Sequence, residues 1–156
     1  MRRAERLARA CRAAGVRLLV NDRVDVAIAS GADGVHLPAA GIAPADARSL
    51  VGPGALVGRS IHAEDELSAA AGADFCVFGP VYDTPSKRKF GEPQGIARLA
   101  RVCAATSLPI FAVGGVTADR VREVRAAGAT GIAVIGAVLA APDPGAAVRR
   151  LLDALA

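Results

Sequence analysis

Ser30-Gly-Ala-Asp-Gly-Val35, Ala71-Gly-Ala-Asp-Phe-Cys76 and Ala127-Gly-Ala-Thr-Gly-Ile132 write one pattern three times along the chain, and Ala14-Gly-Val-Arg-Leu18 is a shortened version of it. In each, a helix-type segment runs into a glycine, which suits the left-handed position just past a helix end, and a strand-type run begins two or three residues later. The repeating unit is therefore helix then strand. Apolar residues recur at helical spacing over about 2–14, 23–30, 44–51, 63–71, 96–105, 118–127 and 145–155. Apolar runs predict strands near 17–20, 34–37, 55–59, 75–79, 109–113 and 131–135. Strict alternation of this kind calls for right-handed crossovers and a parallel sheet.

Two architectures meet that description, an open doubly wound sheet and a barrel. No Gly-x-Gly-x-x-Gly follows the first strand, as a dinucleotide-binding open sheet would be expected to show. Glycine-rich ends instead follow the last two strands, where a (β/α)8 barrel places its phosphate site. Only six strands can be counted and the chain opens inside a helix. The expectation is thus an α/β fold of (β/α)8 TIM-barrel type lacking its first two strands, six parallel strands with helices, as a single domain over residues 1–156. The strands near 17–20 and 131–135 should then be unable to close on each other, and exposed edges invite self-association.

Composition agrees with that class. At 156 residues the chain is long enough to bury a real core. It is 53% hydrophobic but only 3% aromatic, so the core must be built from Ala, Val, Leu and Ile, as in parallel sheets covered by helices. Disorder is excluded by that hydrophobicity. The net charge is +4, yet arginine is spread through the helical segments without aromatic platforms, which argues against nucleic acid and for an anionic small substrate. Cys11, Cys76 and Cys103 lie far apart with no Cys-x-x-Cys spacing, so neither a disulfide framework nor a zinc site is expected, and Cys76 reads as a small core residue. No run has the roughly 18 continuous apolar residues of a membrane span, and Arg2-Arg3 is followed by no apolar leader, so the expected setting is cytoplasmic.

In a barrel of this type the chemistry belongs to the loops at the carboxyl ends of the strands. Pro109-Ile-Phe-Ala-Val-Gly-Gly-Val-Thr117 and Gly131-Ile-Ala-Val-Ile-Gly-Ala137 each end an apolar run in glycine at the mouth of a helix, with Thr117 as an N-cap. Side by side, such ends aim free backbone N–H groups at one point, which suits phosphate; Gly114-Gly115 also reads simply as a tight turn. Asn21-Asp22 can hold Mg²⁺ or cap the next helix. His36 reads as a structural histidine; Ser60 is a ligand candidate and His62 either that or a helix start. The long loop Val77-Phe-Gly-Pro-Val-Tyr-Asp-Thr-Pro-Ser-Lys-Arg-Lys-Phe-Gly91 sets Thr84, Ser86 and Lys87 within four residues beside Arg88 and Lys89. Hydroxyls and positive charge together suit a phosphate or diphosphate, the alternative being a solvated basic loop. No Ser-His-Asp or Cys-His arrangement is supported.

Leu18-Leu-Val-Asn-Asp-Arg23, Gly31-Ala-Asp-Gly-Val-His-Leu37, Gly72-Ala-Asp, Phe78-Gly-Pro-Val-Tyr, Thr84-Pro-Ser-Lys87, Val113-Gly-Gly-Val116 and Gly131-Ile-Ala-Val-Ile135, in that order, resemble the thiamine phosphate synthase family, which includes the related thiazole tautomerases. The resemblance runs from about residue 17 to the end. It implies a (β/α)8 barrel that joins hydroxymethylpyrimidine diphosphate to a thiazole phosphate, giving thiamine phosphate and diphosphate with Mg²⁺. It implies that Asn21 contacts substrate, Asp22 binds Mg²⁺, Ser60 lies near the pyrimidine, and Thr84, Ser86 and Lys87 hold the diphosphate and the thiazole side, with Lys87 and Ser60 as the catalytic pair. Gly115, Ile135 and Gly136 would cradle the thiazole phosphate.

Several positions depart from the family pattern. The basic strand-two motif of the family has no counterpart here. Pro38-Ala-Ala-Gly41, where a second Mg²⁺ aspartate is expected, holds no carboxylate, which should weaken the metal. Gly136 stands where synthases commonly place Ser, and Pro80 where the tautomerase has its catalytic His, so His62 or His36 would have to take over that proton transfer. Beside the synthase reading stand a tautomerase and a non-catalytic phosphate-ligand-binding paralogue or fragment.

Overall fold

A computed structural model describes residues 1–84 and 92–156. The order is α1 (Arg2–Ala13), β1 (Leu19–Asn21), α2 (Val24–Ser30), β2 (Gly34–Leu37), α3 (Pro44–Val51), β3 (Leu56–Ile61), a 3-10 helix (Glu64–Ala70), β4 (Phe75–Phe78), α4 (Gly95–Ala104), β5 (Ile110–Val113), α5 (Ala118–Ala126), β6 (Gly131–Ala133), α6 (Gly136–Leu139) and α7 (Pro144–Leu155). The strands hydrogen-bond in chain order, β1-β2-β3-β4-β5-β6, in one sheet. The β1–β2, β2–β3 and β5–β6 pairings are parallel, as strand–helix alternation requires. This is the repeating β/α architecture expected from the sequence.

The repeats owe their form to backbone chemistry. Gly31, Gly72 and Gly128 all have positive φ, so each ends its helix in the conformation glycine adopts at least cost. The residue two places on ties neighbouring strands together. The Asp33 carboxylate accepts from the Leu18 N–H at 2.8 Å, and the Asp74 carboxylate accepts from the Val57 N–H at 2.7 Å. Main-chain bonds Asp33 N–H to Leu18 O, Asp74 N–H to Val57 O and Thr130 N–H to Ile110 O, each 2.8 Å, set the three repeats alike. Asp74 also receives Arg48 Nη2 at 2.6 Å.

The chain falls into two compact units, residues Met1–Ser60 with Ser68–Cys76, and Ile61–Leu67 with Val77–Ala156. In the first, Val24, Ala27, Val35, Leu37, Ala47 and Val57 form the core between the strands and α2–α3. Because strand side chains alternate, Val35 and Leu37 go to that core while His36 faces the other side. Arg59, on the Leu37 side of β3, is buried; its Nη1 and Nη2 donate to the carbonyls of Ile42 and Ala39 at 2.7 Å each and so hold the β2–α3 loop. Cys76 is fully buried, and burial raises its thiol pKa, in keeping with a core role. In the second unit Phe78, Leu99, Val102, Ile110, Ala112, Val121 and Val124 are buried, and α7 packs on α5 and α6.

Three features differ from expectation. The 63–71 helix is 3-10 in form. It spans Glu64–Ala70 and carries Glu64, Asp65 and Glu66 in its first turn. β6 stops at Ala133, and Ile135 is the N-cap of the short α6, absent from the sequence pattern because four residues carry no periodicity. Thr117 does occupy the N-cap of α5, but its side chain makes no capping bond.

Candidate functional site

In the first unit the carboxyl ends of β1–β3 gather Asn21, Asp22, His36 and Ser60. Asn21 pairs with His36 and His36 with Gly58 in register. His36 Nε2 lies 2.8 Å from Ser60 Oγ, and its ring stacks on Phe75 with centroids 6.0 Å apart. Gly58 makes that seat: a Cβ there would stand 2.3 Å from Phe75 Cζ and 2.7 Å from His36 Nδ1. Burial lowers the His36 pKa below its ordinary value, so near neutral pH the ring is uncharged and orients the Ser60 hydroxyl.

Asp22 is the non-glycine residue with positive φ (64°) among the described residues, a conformation that Asp tolerates better than most side chains. Its N–H donates to His36 O at 2.8 Å, which locks the turn at the strand end. The capping alternative for Asn21-Asp22 is not realised: Arg23 is the N-cap of α2, no side chain caps it, and Arg23 pairs with Asp25 at 2.5 Å. The Asp22 side chain is exposed. Among the described residues no group of three or more His, Cys, Asp or Glu could hold a metal. A lone exposed carboxylate nevertheless fits Mg²⁺, which is commonly held by one or two carboxylates and completed by substrate phosphate and water.

In the second unit Gly114 (φ 95°) and Gly115 (φ 63°) form a left-handed turn between β5 and α5. Residues 80–83 lie directly on it. A Cβ at Gly114 would be 2.6 Å from Pro80 Cα, and one at Gly115 would be 2.7 Å from Asp83 O and 2.8 Å from Tyr82 Cβ. The tight-turn reading and the phosphate reading are compatible, since the same glycines turn the chain and bring no side chains of their own to it. The Val81 N–H donates to Val113 O at 2.8 Å and the Tyr82 N–H to Gly114 O at 3.0 Å, so the start of the long loop is zipped to the turn.

Arg120 on α5 donates from Nη1 to Gly115 O at 2.6 Å and stacks over the Tyr82 ring at 4.3 Å, while Tyr82 Oη donates to Glu123 Oε2 at 2.5 Å. Burial first, and Glu123 second, push the Tyr82 pKa up to about 12. The structure thus brings Gly115, Tyr82, Arg120 and Glu123 together. Thr84, next to this cluster in sequence, is half-buried. Ser86 and Lys87 lie outside the described residues. Ile135 is 69% exposed at the start of α6, and nothing stands within 4 Å of a Cβ built on Gly136, so that corner is open. Arg59, Arg120 and the strand-tying aspartates were not singled out from the sequence. The repeat carried a signal for Asp33 and Asp74, whereas Arg120 is one arginine among many on a helix surface.

The sequence model of the family described as thiamine monophosphate synthase matches residues 1–138. Thiamine-phosphate synthase from Methanoculleus marisnigri is 48% identical over 145 residues, covering 92% of this chain and 69% of that protein. The thiamine biosynthesis bifunctional protein ThiM/ThiE of Symbiobacterium thermophilum is 51% identical over 152 residues, covering 96% of this chain and 32% of that longer protein. Among solved structures, thiamine phosphate pyrophosphorylase from Pyrococcus furiosus superposes with a TM-score of 0.87 at 32% identity, covering 97% of this chain and 73% of that one. Orotidine 5'-phosphate decarboxylase from Pyrococcus horikoshii OT3, with a TM-score of 0.71 and 16% identity, shares the fold alone. With the family model matching residues 1–138 and a relative 48% identical over 145 residues, the chain belongs to the thiamine monophosphate synthase family.

Proposed function

We propose that this chain acts as a thiamine-phosphate synthase, coupling hydroxymethylpyrimidine diphosphate with thiazole phosphate. The bond between the pyrimidine methylene and the diphosphate oxygen breaks, and its electron pair leaves with diphosphate. The thiazole nitrogen lone pair then forms the new C–N bond to the methylene cation, giving thiamine phosphate. Asn21 and Ser60 contact the pyrimidine side, with the Ser60 hydroxyl directed by His36. Asp22 would hold Mg²⁺, which when bound neutralises charge on the departing diphosphate. Thr84, Ser86 and Lys87 hold the diphosphate and the thiazole side, and Gly115, Ile135 and Gly136 cradle the thiazole phosphate through backbone N–H groups. A cytoplasmic setting fits a protein whose three cysteines are free.

The observation that supports this most is the Gly114-Gly115 turn, where two successive glycines of positive φ, with no side chains of their own, lead into the amino end of α5. The test is to incubate the chain with both substrates and Mg²⁺ and to measure thiamine phosphate and diphosphate, expected in equal amounts. Intact thiazole phosphate binding with no turnover at saturating Mg²⁺ would sink the enzyme and leave a non-catalytic binder.

A further inference from the structure

We infer that Arg120 is a positioning residue that sets the peptide planes of the phosphate cradle, with Tyr82 and Glu123 holding it in place; this rests on the proposed function of the Gly114-Gly115 turn. In a trans peptide the C=O and the following N–H point in opposite directions. The Gly114 carbonyl accepts from the Tyr82 N–H at 3.0 Å, and this fixes the direction of the Gly115 N–H. The Gly115 carbonyl accepts from Arg120 Nη1 at 2.6 Å, and this fixes the direction of the Val116 N–H. Both carbonyls are tied back, and no protein acceptor takes either N–H among the described residues.

Two glycines in succession would otherwise leave these planes free to rotate. The guanidinium is itself immobilised. It lies over the Tyr82 ring at 4.3 Å, and the Tyr82 hydroxyl is anchored on Glu123, one turn further along the same helix. The Tyr82 phenol, with its pKa near 12, keeps the proton it donates across the working pH range. The carbonyl that Arg120 grips is the one between the two amides assigned to the cradle. Charge-assisted bonds of this kind are the strong ones.

The test is calorimetric titration of the whole chain with thiazole phosphate and, separately, with hydroxymethylpyrimidine diphosphate and Mg²⁺, for the wild type, Arg120→Met, Arg120→Lys and Tyr82→Phe. Expected is a Kd for thiazole phosphate raised about 10-fold in Arg120→Met, as weakening of the two misoriented amide donors by about one hydrogen bond's worth in total predicts, with partial recovery in Arg120→Lys and an intermediate loss in Tyr82→Phe. The Kd for the pyrimidine diphosphate should stay within about 2-fold. Amide NMR adds a fold-independent readout: the Gly115 and Val116 signals should shift in ligand-free Arg120→Met while signals of the first unit stay in place. Wild-type binding that is unchanged in Arg120→Met, or a loss shared equally by both ligands, overturns the assignment. Failure of the wild type to bind thiazole phosphate overturns it together with the proposed function.

Discussion

Gly115 and Gly136 were expected to do the same work, and the structure separates them. At Gly115 an added methyl meets Asp83 O at 2.7 Å in a left-handed backbone, so Gly115→Ala should lower stability by about 2 kcal/mol and abolish measurable thiazole phosphate binding, checked by urea denaturation and calorimetry. At Gly136 the space is empty, so Gly136→Ser should melt within a few degrees of wild type and bind thiazole phosphate as tightly or tighter, the hydroxyl adding a donor. Unfolding of Gly136→Ser, or wild-type behaviour of Gly115→Ala, would contradict the geometry. His36 supplies a pH effect. Its folded-state pKa is depressed by burial, so the unfolded chain takes up a proton first as pH falls below about 6.5. Stability should be level above that pH and decline below it, and His36→Gln should flatten that slope in denaturation curves taken at pH 7.5 and 5.5.

At the scale of the element, the repeat is a device for starting strands in register. Asp74 accepts from the Val57 N–H and from Arg48, so the beginning of β3 is tied to the residue that precedes β4. Asp74→Ala leaves a part-buried N–H without its acceptor and should cost about 2 kcal/mol by urea denaturation, with Asp74→Asn costing less. The third repeat carries Thr130 in place of the aspartate and keeps the main-chain bond to Ile110. Thr130→Ala should therefore change stability by less than about 1 kcal/mol. Equal losses in Asp74→Ala and Thr130→Ala would show that the main-chain bond, not the carboxylate, sets the strand.

For the whole molecule, β1 and β6 stand at the two ends of the sheet order, each only three residues long. End strands carry a row of backbone groups with no strand beyond them, and short length is one way such edges are blunted. Concentration-dependent association is the expected behaviour, and sedimentation of the chain over a wide concentration range checks it. A monodisperse monomer throughout would contradict that expectation.

By itself the sequence determined the element order and the β/α class, because helix-ending glycines, apolar runs and helical spacing are local signals that tertiary contacts here reinforce. It also determined the chemical types at the strand ends, from Asn21 and Asp22 to Ser60 and the Gly114-Gly115 pair. Only the tertiary structure decided which alternative each adopts. Asn21-Asp22 does not cap α2 because the positive φ of Asp22 and its bond to His36 O turn the chain before the helix begins. Arg120 reaches Gly115 because α5 starts immediately after the turn and one helical turn brings its guanidinium back over the carbonyl. Such a contact depends on the path of the backbone in space, and residue order carries no trace of it.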